Sequence, residues 1–334
     1  MCSEKTITSS GAILDTLEVT SEKAFTKRAI RKVLSNAQAK KLLELNTPLY
    51  KEYEKTRWCA YAVKKKDGKY VSSYCQKRWC PVCSANRQGA MINAYQEAVS
   101  NMKEPYFVTL TLPAVIGKHL RDTIRGMPRT FTLIKDTLRK KKIVLNGIRK
   151  LECNHNPLKL TFNPHFHMLV DGEIEARALL HYWLKYHPEA VPEAQDIQPA
   201  QEGTLKELVK YTTKMLVGKK FYPEAQDTIY RALKGVRTFQ PYGNIRKAKE
   251  SQKEAIEAPE TADNASPDTN PTPEADKPSQ EAETVSETYY WNSFQNTWVS
   301  TEGVPLVKVE LSENMNKLLE NIRTAPLYTF YLLE

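Results

Sequence analysis

LTFNPHFHMLV, residues 160–170, is the stretch on which the reading of this chain turns. Phe162, Phe166, Met168, Leu169 and Val170 give it the density of a short buried strand. Side chains two apart on a strand share a face, so His165 and His167 point the same way, about 6–7 Å apart along the strand. Two imidazoles so placed can share one metal ion or can be ordinary core histidines, and the neighbouring sequence has to separate the two. Upstream, GIRKLECN (147–154) reads as a second strand, joined to the first through a turn at Asn154–Pro157. That hairpin can bring the Glu152 carboxylate beside the imidazoles, while Cys153 points into apolar packing on the other face. Earlier still, YFVTLTLP (106–113) alternates apolar residues with threonine. Val108, Leu110 and Leu112 face a core, and Thr109 and Thr111 face the other side, where hydroxyls can contact phosphate.

Four cysteines precede these strands. Cys59, Cys75, Cys80 and Cys83 follow the pattern C-x15-C-x4-C-x2-C. Cys80-Pro81-Val82-Cys83 is a knuckle able to grip one tetrahedral ion. Asp67-Gly68 signals a hairpin turn that would bring Cys59 to Cys75 and complete a four-cysteine structural zinc site. A redox C-x-x-C needs no outlying pair, so zinc is the better reading. Arg57, Lys77, Arg78 and Arg87, with Trp58, Trp79 and Tyr74 among them, suit a nucleic-acid surface, although the aromatics can equally be the module's minimal core.

The net charge of +10 is unevenly spread. Residues 250–287 carry eleven acidic groups and two lysines, and 288–334 five acidic and three basic, which leaves +21 on residues 1–249. A body so basic fits a phosphate backbone as its partner. The organisation expected is a basic, partly helical segment (1–56), a zinc module (57–95), a main domain (100–249), an acidic disordered linker (250–287) and a small β-rich C-terminal module (288–334). Residues 22–46 read as a helix, compatible with either a DNA-facing or a solvated amphipathic role. Further helices are expected at 84–101, at 118–141 with an interruption at Gly126 or Pro128, and at 173–187; a polar loop follows at 188–202, and a strand near Val236–Phe239. No signal peptide is visible and no apolar run is long enough to cross a bilayer, so a soluble, cytoplasmic protein is expected.

Residues 204–217, TLKELVKYTTKMLV, read as a helix capped by Thr204 with Glu207 three residues on. Glu207, Tyr211 and Lys214 then fall on one face. The order of strand FVTLTLP, strand NPHFHMLV and helix ELVKYTTKML behind a four-cysteine module resembles the HUH endonucleases that initiate rolling-circle replication of plasmids. The likeness is to their single-tyrosine Rep family and spans about residues 59–248. Phe166 between the histidines and the E-x-x-x-Y spacing of Glu207 and Tyr211 match that family. Met215, one turn after Tyr211, sets the chain apart from the two-tyrosine branch.

The resemblance implies an α+β fold, an HUH or ferredoxin-like antiparallel sheet of about five strands with the tyrosine helix over its metal-bearing face. It implies a catalytic Mg²⁺ or Mn²⁺ on His165, His167 and Glu152. Tyr211 would be the nucleophile, forming a covalent 5′-phosphotyrosine and leaving a 3′-OH primer. Lys214 would stabilise developing charge, Glu207 would activate the water that terminates a round, and Lys210 would help bind the strand. Arg78, Arg87, Thr109 and Thr111 complete the expected DNA contacts. The partners implied are origin DNA, single-stranded or as an extruded hairpin, and a host helicase and DNA polymerase. A zinc-dependent DNA-binding regulator without nuclease activity and a mobilisation relaxase are the rivals; relaxases place the tyrosine before the histidines.

Overall fold

The computed structural model describes residues 18–66, 69–209, 216–217, 220–248 and 287–327. Lys210, Tyr211, Lys214, Met215, the Asp67-Gly68 turn and residues 249–286, with the acidic run, lie outside them. The chain begins with α1 (Glu18–Leu43) and α2 (Tyr50–Arg57), then the hairpin β1 (Ala62–Lys66) and β2 (Lys69–Ser72), and α3 (Pro81–Ser100). The central region follows as β3 (Pro105–Thr111), α4 (Gly117–Lys140), β4 (Gly147–Asn156), β5 (Thr161–Asp171) and α5 (Glu173–Tyr186). After these come β6 (Asp196–Pro199), α6 (Thr204–Val209), β7 (Leu216–Val217), β8 (Lys220–Phe221), α7 (Pro223–Ala232) and β9 (Phe239–Tyr242). The C-terminal part holds β10 (Thr288–Asn292), β11 (Thr297–Ser300) and α8 (Glu313–Arg323).

A five-stranded sheet in the order β6-β3-β5-β4-β9, antiparallel throughout, meets the α+β expectation. The histidine strand β5 sits in its middle. One face carries Val108, Leu110, Leu151, Cys153, Phe166, Met168 and Val170, all buried, and packs on α4 and α5. Burial holds the Cys153 thiol above its usual range. Gly147 is required where β4 approaches its neighbours, because a Cβ there would collide with the Leu169 carbonyl and the Tyr242 ring.

Helix α4 runs unbroken through Gly126 and Pro128, against the expected interruption. Its buried stripe explains this: Leu120, Ile124, Met127, Phe131, Ile134 and Leu138 fall at alternating spacings of four and three. Six such side chains at about 1.5–3 kcal/mol each outweigh the roughly 3 kcal/mol an internal proline costs.

On the opposite face only half the sheet is covered. Ile148, Leu169 and Phe107 meet Ala94, Tyr95 and Met102 from α3 and just beyond it, and Leu205, Leu208 and Val209 from α6. The other half presents polar side chains, described below.

Several boundaries differ from the sequence reading. The β4–β5 turn is residues 157–160 rather than 154–157, because Asn156 Oδ1 accepts from the Leu158 and Lys159 amides and Leu160 takes a positive φ. The loop 188–202 contains edge strand β6, whose proline sits at a strand end where no ladder bond is needed. The helix predicted over 204–217 cannot reach its end, since Leu216 and Val217 pair with Phe221 and Lys220. Nor does its capping box form: Thr204 is the first helical residue and its hydroxyl donates to the Gln201 carbonyl. The last strand of the sheet begins at Phe239, not Val236, whose amide is still tied to Leu233 at the end of α7.

Helix α1 is largely buried rather than a solvated amphipathic helix. Phe25, Ala29, Lys32, Val33, Ser35, Gln38 and Leu42 are all buried, and α1 packs on α2, α3, α7, α8 and β11. Residues buried around much of its circumference make it an internal strut. The C-terminal residues likewise do not stand apart. Strands β10 and β11 extend the cysteine-module hairpin into a four-stranded sheet, β11-β10-β1-β2, and α8 makes this segment partly helical.

Candidate functional site

The polar half of the sheet gathers the residues picked out by the H-x-H pattern. Register sets Glu152 opposite His165 and Lys150 opposite His167 across β4–β5, and Thr109 opposite His167 across β3–β5. Glu152 Oε2 stands 3.8 Å from His165 Nε2 and 4.0 Å from His167 Nε2. Two ligands of one ion can be no farther apart than two bond lengths, about 4.2 Å for imidazole and carboxylate donors, and both separations satisfy that bound. The donor atoms of all three residues lie within 4.8 Å of one another.

The outer contacts suit ligation. His165 Nδ1 donates to the Asn163 carbonyl at 3.0 Å, which leaves its Nε2 lone pair facing Glu152. His167 Nδ1 lies 3.1 Å from the Thr109 hydroxyl, and donation there leaves an Nε2 lone pair on the side of Glu152 in the same way. Phe107 stacks on the His167 ring at 5.3 Å and fixes its plane. His165 is buried whereas the His167 side chain is 28% exposed, so the site opens on the His167 side. Three such donors on one sheet face could hold one divalent ion and would not fill its coordination sphere. Two nitrogens and one oxygen suit Mn²⁺ and other first-row divalent ions.

Sequence reasoning missed Lys150. It is 3% exposed, and its Nζ lies 2.7 Å from Glu152 Oε1. The two carboxylate oxygens are thus divided, Oε1 to the lysine and Oε2 to the imidazoles. Burial holds the Lys150 ammonium below its usual range, against the pull of Glu152 and then Glu207. The signal was present: Lys150 is two residues before Glu152, hence on the same face.

Glu207 is exposed on α6, the helix that packs on this same sheet face, and its charge acts on Lys150. The residues that follow it in the expected catalytic helix, Lys210, Tyr211 and Lys214, fall outside the described part of the structure. Thr109 orients His167. Thr111 is engaged with Gln195, which meets its amide, carbonyl and hydroxyl, and its carbonyl also accepts from Trp183.

The four cysteines form a second cluster. Cys83 Sγ lies 3.4 Å from Cys59 Sγ and 3.6 Å from Cys75 Sγ. Cys80 caps α3 and Cys83 sits in its first turn, where the helix N-terminus favours thiolates. Hydrogen bonds from Cys59, Cys75 and Cys83 hold the Cys80 thiol well below its usual range. The C-x-x-C does open a helix, as a redox pair would, but the outlying pair closes around it into one tetrathiol set.

Helix α1 reaches this cluster. Ser35 Oγ lies 3.4 Å from Cys80 Sγ. Lys32, wholly buried, donates to the Arg57 carbonyl at 2.7 Å. Burial pulls its pKa down to about 8, with the cysteine charges opposing that shift. The basic and aromatic residues around the cysteines sort into two groups. Tyr74 accepts from Arg28, and Trp79 donates to Thr56 while stacking on Tyr230 at 4.9 Å, so both belong to the module's packing. Arg78 and Arg87, expected on DNA, donate to the Leu233 and Gln76 carbonyls. Lys77 pairs with Glu52, whereas Trp58 remains exposed.

No helix among the described residues is long and apolar enough to cross a membrane. Residues 68–172 match the family model of a replication protein. "Protein rep" of Staphylococcus aureus is 37% identical over 71 residues, which are 20% of this chain and 30% of that protein. "Protein rep" of Streptococcus pneumoniae serotype 2 (strain D39 / NCTC 7466) is 34% identical over 64 residues, 19% of this chain and 20% of that protein. The matched stretches therefore span less than a third of either relative. No solved structure matches the chain. The resemblance to Rep replication proteins that the sequence carries is thereby borne out over residues 68–172, the span that holds Cys75, Cys80, Cys83, Glu152, His165 and His167.

Proposed function

We propose that this protein initiates rolling-circle replication of a plasmid by nicking one DNA strand at the origin. The observation that carries the reading is the Glu152–His165–His167 cluster on adjacent strands, inside the span that matches a replication protein. A divalent ion, Mg²⁺ or Mn²⁺, held by these three residues would supply polarisation of the scissile phosphate. Tyr211 gives up its phenolic proton and its oxygen attacks phosphorus, a new P–O bond forms to the tyrosine, and the bond to the 3′ oxygen breaks. That oxygen takes up a proton and leaves as the 3′-hydroxyl primer, while the 5′ end stays covalently on the protein. Lys214 offsets charge developing on the phenolic oxygen. Glu207 takes a proton from the water that ends the round. Lys150 and Thr109 keep Glu152 and His167 aimed at one point.

In this reading the sheet is an HUH-type nuclease domain over residues 100–249, and the four-cysteine module of 57–95 widens its DNA surface. Origin DNA is the substrate, unpaired or as an extruded hairpin, with a host helicase and DNA polymerase extending the primer in the cytoplasm. Supercoiled plasmid carrying the cognate origin tests it. Open circles should form with Mg²⁺ or Mn²⁺ and disappear with a chelator. DNA that is bound and never cut under any divalent ion would instead make the chain a zinc-dependent regulator.

The cysteine cluster is assigned a structural zinc. Purified protein should hold one zinc per chain that survives dialysis against weak chelators. Cys80→Ser should lose it and destabilise the module severely, since such sites contribute folding free energy directly. A metal-free protein that melts like the holo form would defeat the assignment.

A further inference from the structure

Three half-exposed rings cluster beside the cysteine-module sheet, from the end of α2, the residue before β1 and strand β10. Trp58, at the end of α2, contacts Tyr61 edge-on with centroids 5.0 Å apart, and Tyr61 lies 6.1 Å from Tyr290 on β10. They are 51%, 40% and 44% exposed. Burying a ring of this size contributes about 1.5–3 kcal/mol, so leaving three neighbours half in water marks a contact surface rather than unfinished packing. The neighbouring aromatics behave differently: Tyr70, Trp291 and Trp298 turn inward, with Tyr70 and Trp298 packed on Phe25 of α1 and Trp291 on Trp298.

The surroundings are mainly basic. The Arg57 guanidinium sits over the Trp58 ring, 5.7 Å from its centroid. Lys64 is exposed and shares a sheet face with Tyr290, whose register partner is Ala62 two residues away. Among the described residues, Glu54, one turn before Trp58 on α2, is an exposed acid, and Glu287, just before β10, is another, paired with Lys65. Neighbouring half-exposed rings, tilted by 73° and 53° from one to the next, with cations beside them suit an unpaired nucleic-acid strand, whose bases can splay to stack on separate faces and whose phosphates offer charge. A duplex hides its base faces and gains nothing from the rings.

We propose that Trp58, Tyr61 and Tyr290 form a stacking platform for single-stranded DNA, with Arg57 and Lys64 on its phosphates. This rests on the reading of the protein as one that acts on DNA, and adds where the unpaired strand lies. None of the three rings is within residues 68–172, so the platform is built by parts of the chain outside the family match, with β10 supplying its far end.

The test is fluorescence anisotropy on the full chain with a labelled twelve-residue oligothymidine and with a duplex of equal length, both measured over the same series of salt concentrations. Each of Trp58→Ala, Tyr61→Ala and Tyr290→Ala should weaken single-strand binding about 5- to 150-fold, with duplex binding changed less than about twofold. Trp58→Phe should bind nearly as wild type, which separates loss of stacking from loss of fold. Arg57→Ala with Lys64→Ala should flatten the dependence of affinity on salt. Ring variants that bind oligothymidine as wild type does, or that lose both DNAs in equal measure, would overturn the platform. Nicking measured in parallel keeps the two readings apart: ring-dependent binding by a protein that never nicks leaves the platform standing and removes the nuclease. Nicking that persists with ring-independent binding removes the platform alone.

Discussion

Tyr211→Phe should abolish both the nick and the covalent protein–DNA adduct, a loss larger than any other single change predicted here. Phenylalanine keeps the ring and removes the only atom assigned to attack phosphorus. Nucleophiles of this kind are not replaced by bulk water at a comparable rate, so activity should fall to background on supercoiled origin DNA. Glu207→Ala should behave differently. General-base assistance contributes about 10²–10⁴-fold to the step it serves, and that step is water attack at the end of a round. Initial nicking should survive while products run past unit length in a replication assay. Equal loss of first cleavage in both variants would refute the division of labour, as would normal termination by Glu207→Ala.

Lys150→Met should lower the stability of the metal-free protein by about 3–5 kcal/mol, the usual cost of leaving one charge of a buried pair without its partner. The arrangement behind this is the 2.7 Å contact between Lys150 Nζ and Glu152 Oε1, with both side chains largely out of water. A divalent ion would then be the main remaining counter-charge for Glu152. Saturating Mn²⁺ should therefore raise the melting temperature of Lys150→Met far more than that of wild type. Lys150→Arg should stay closer to wild type, since it keeps the charge. A metal-free Lys150→Met protein that melts with wild type would show that the pair does not hold the site together, and so would failure of Mn²⁺ to restore it.

The period-two pattern of strands made the central site legible. His165 and His167 share a face by spacing alone, and the Glu152 carboxylate reaches them because β4 and β5 form the hairpin their apolar residues announce. Lys150 obeys the same spacing, yet a lysine in a strand reads as surface, since lysine is rarely buried unless paired. Its pairing with Glu152 becomes visible only once the register is set. The cysteine cluster was equally legible, because C-x2-C and the outlying pair are local features.

What escaped the sequence was long-range packing. Helix α1 carries many cations, which suggested a surface role, but Lys32 is buried against the Arg57 carbonyl and beside the thiols. Nothing in the helix announces a partner that lies some 25 residues onward. The hairpin β10–β11 joins β1 across more than 200 residues, and strand edges carry no local mark of which edge they will meet. Strand β6 escaped for another reason. It is four residues long with a proline at its end, and its pairing is supplied by the far edge of β3, some 90 residues earlier in the chain.

The most direct test of the central claim is mass spectrometry of the protein after reaction with a single-stranded origin oligonucleotide and Mn²⁺, followed by protease and nuclease digestion. The account predicts a nucleotide linked through phosphate to the peptide containing Tyr211, formed by wild type and absent from His165→Ala with His167→Ala. An adduct on any other residue, or one that forms undiminished without the two histidines, would contradict it.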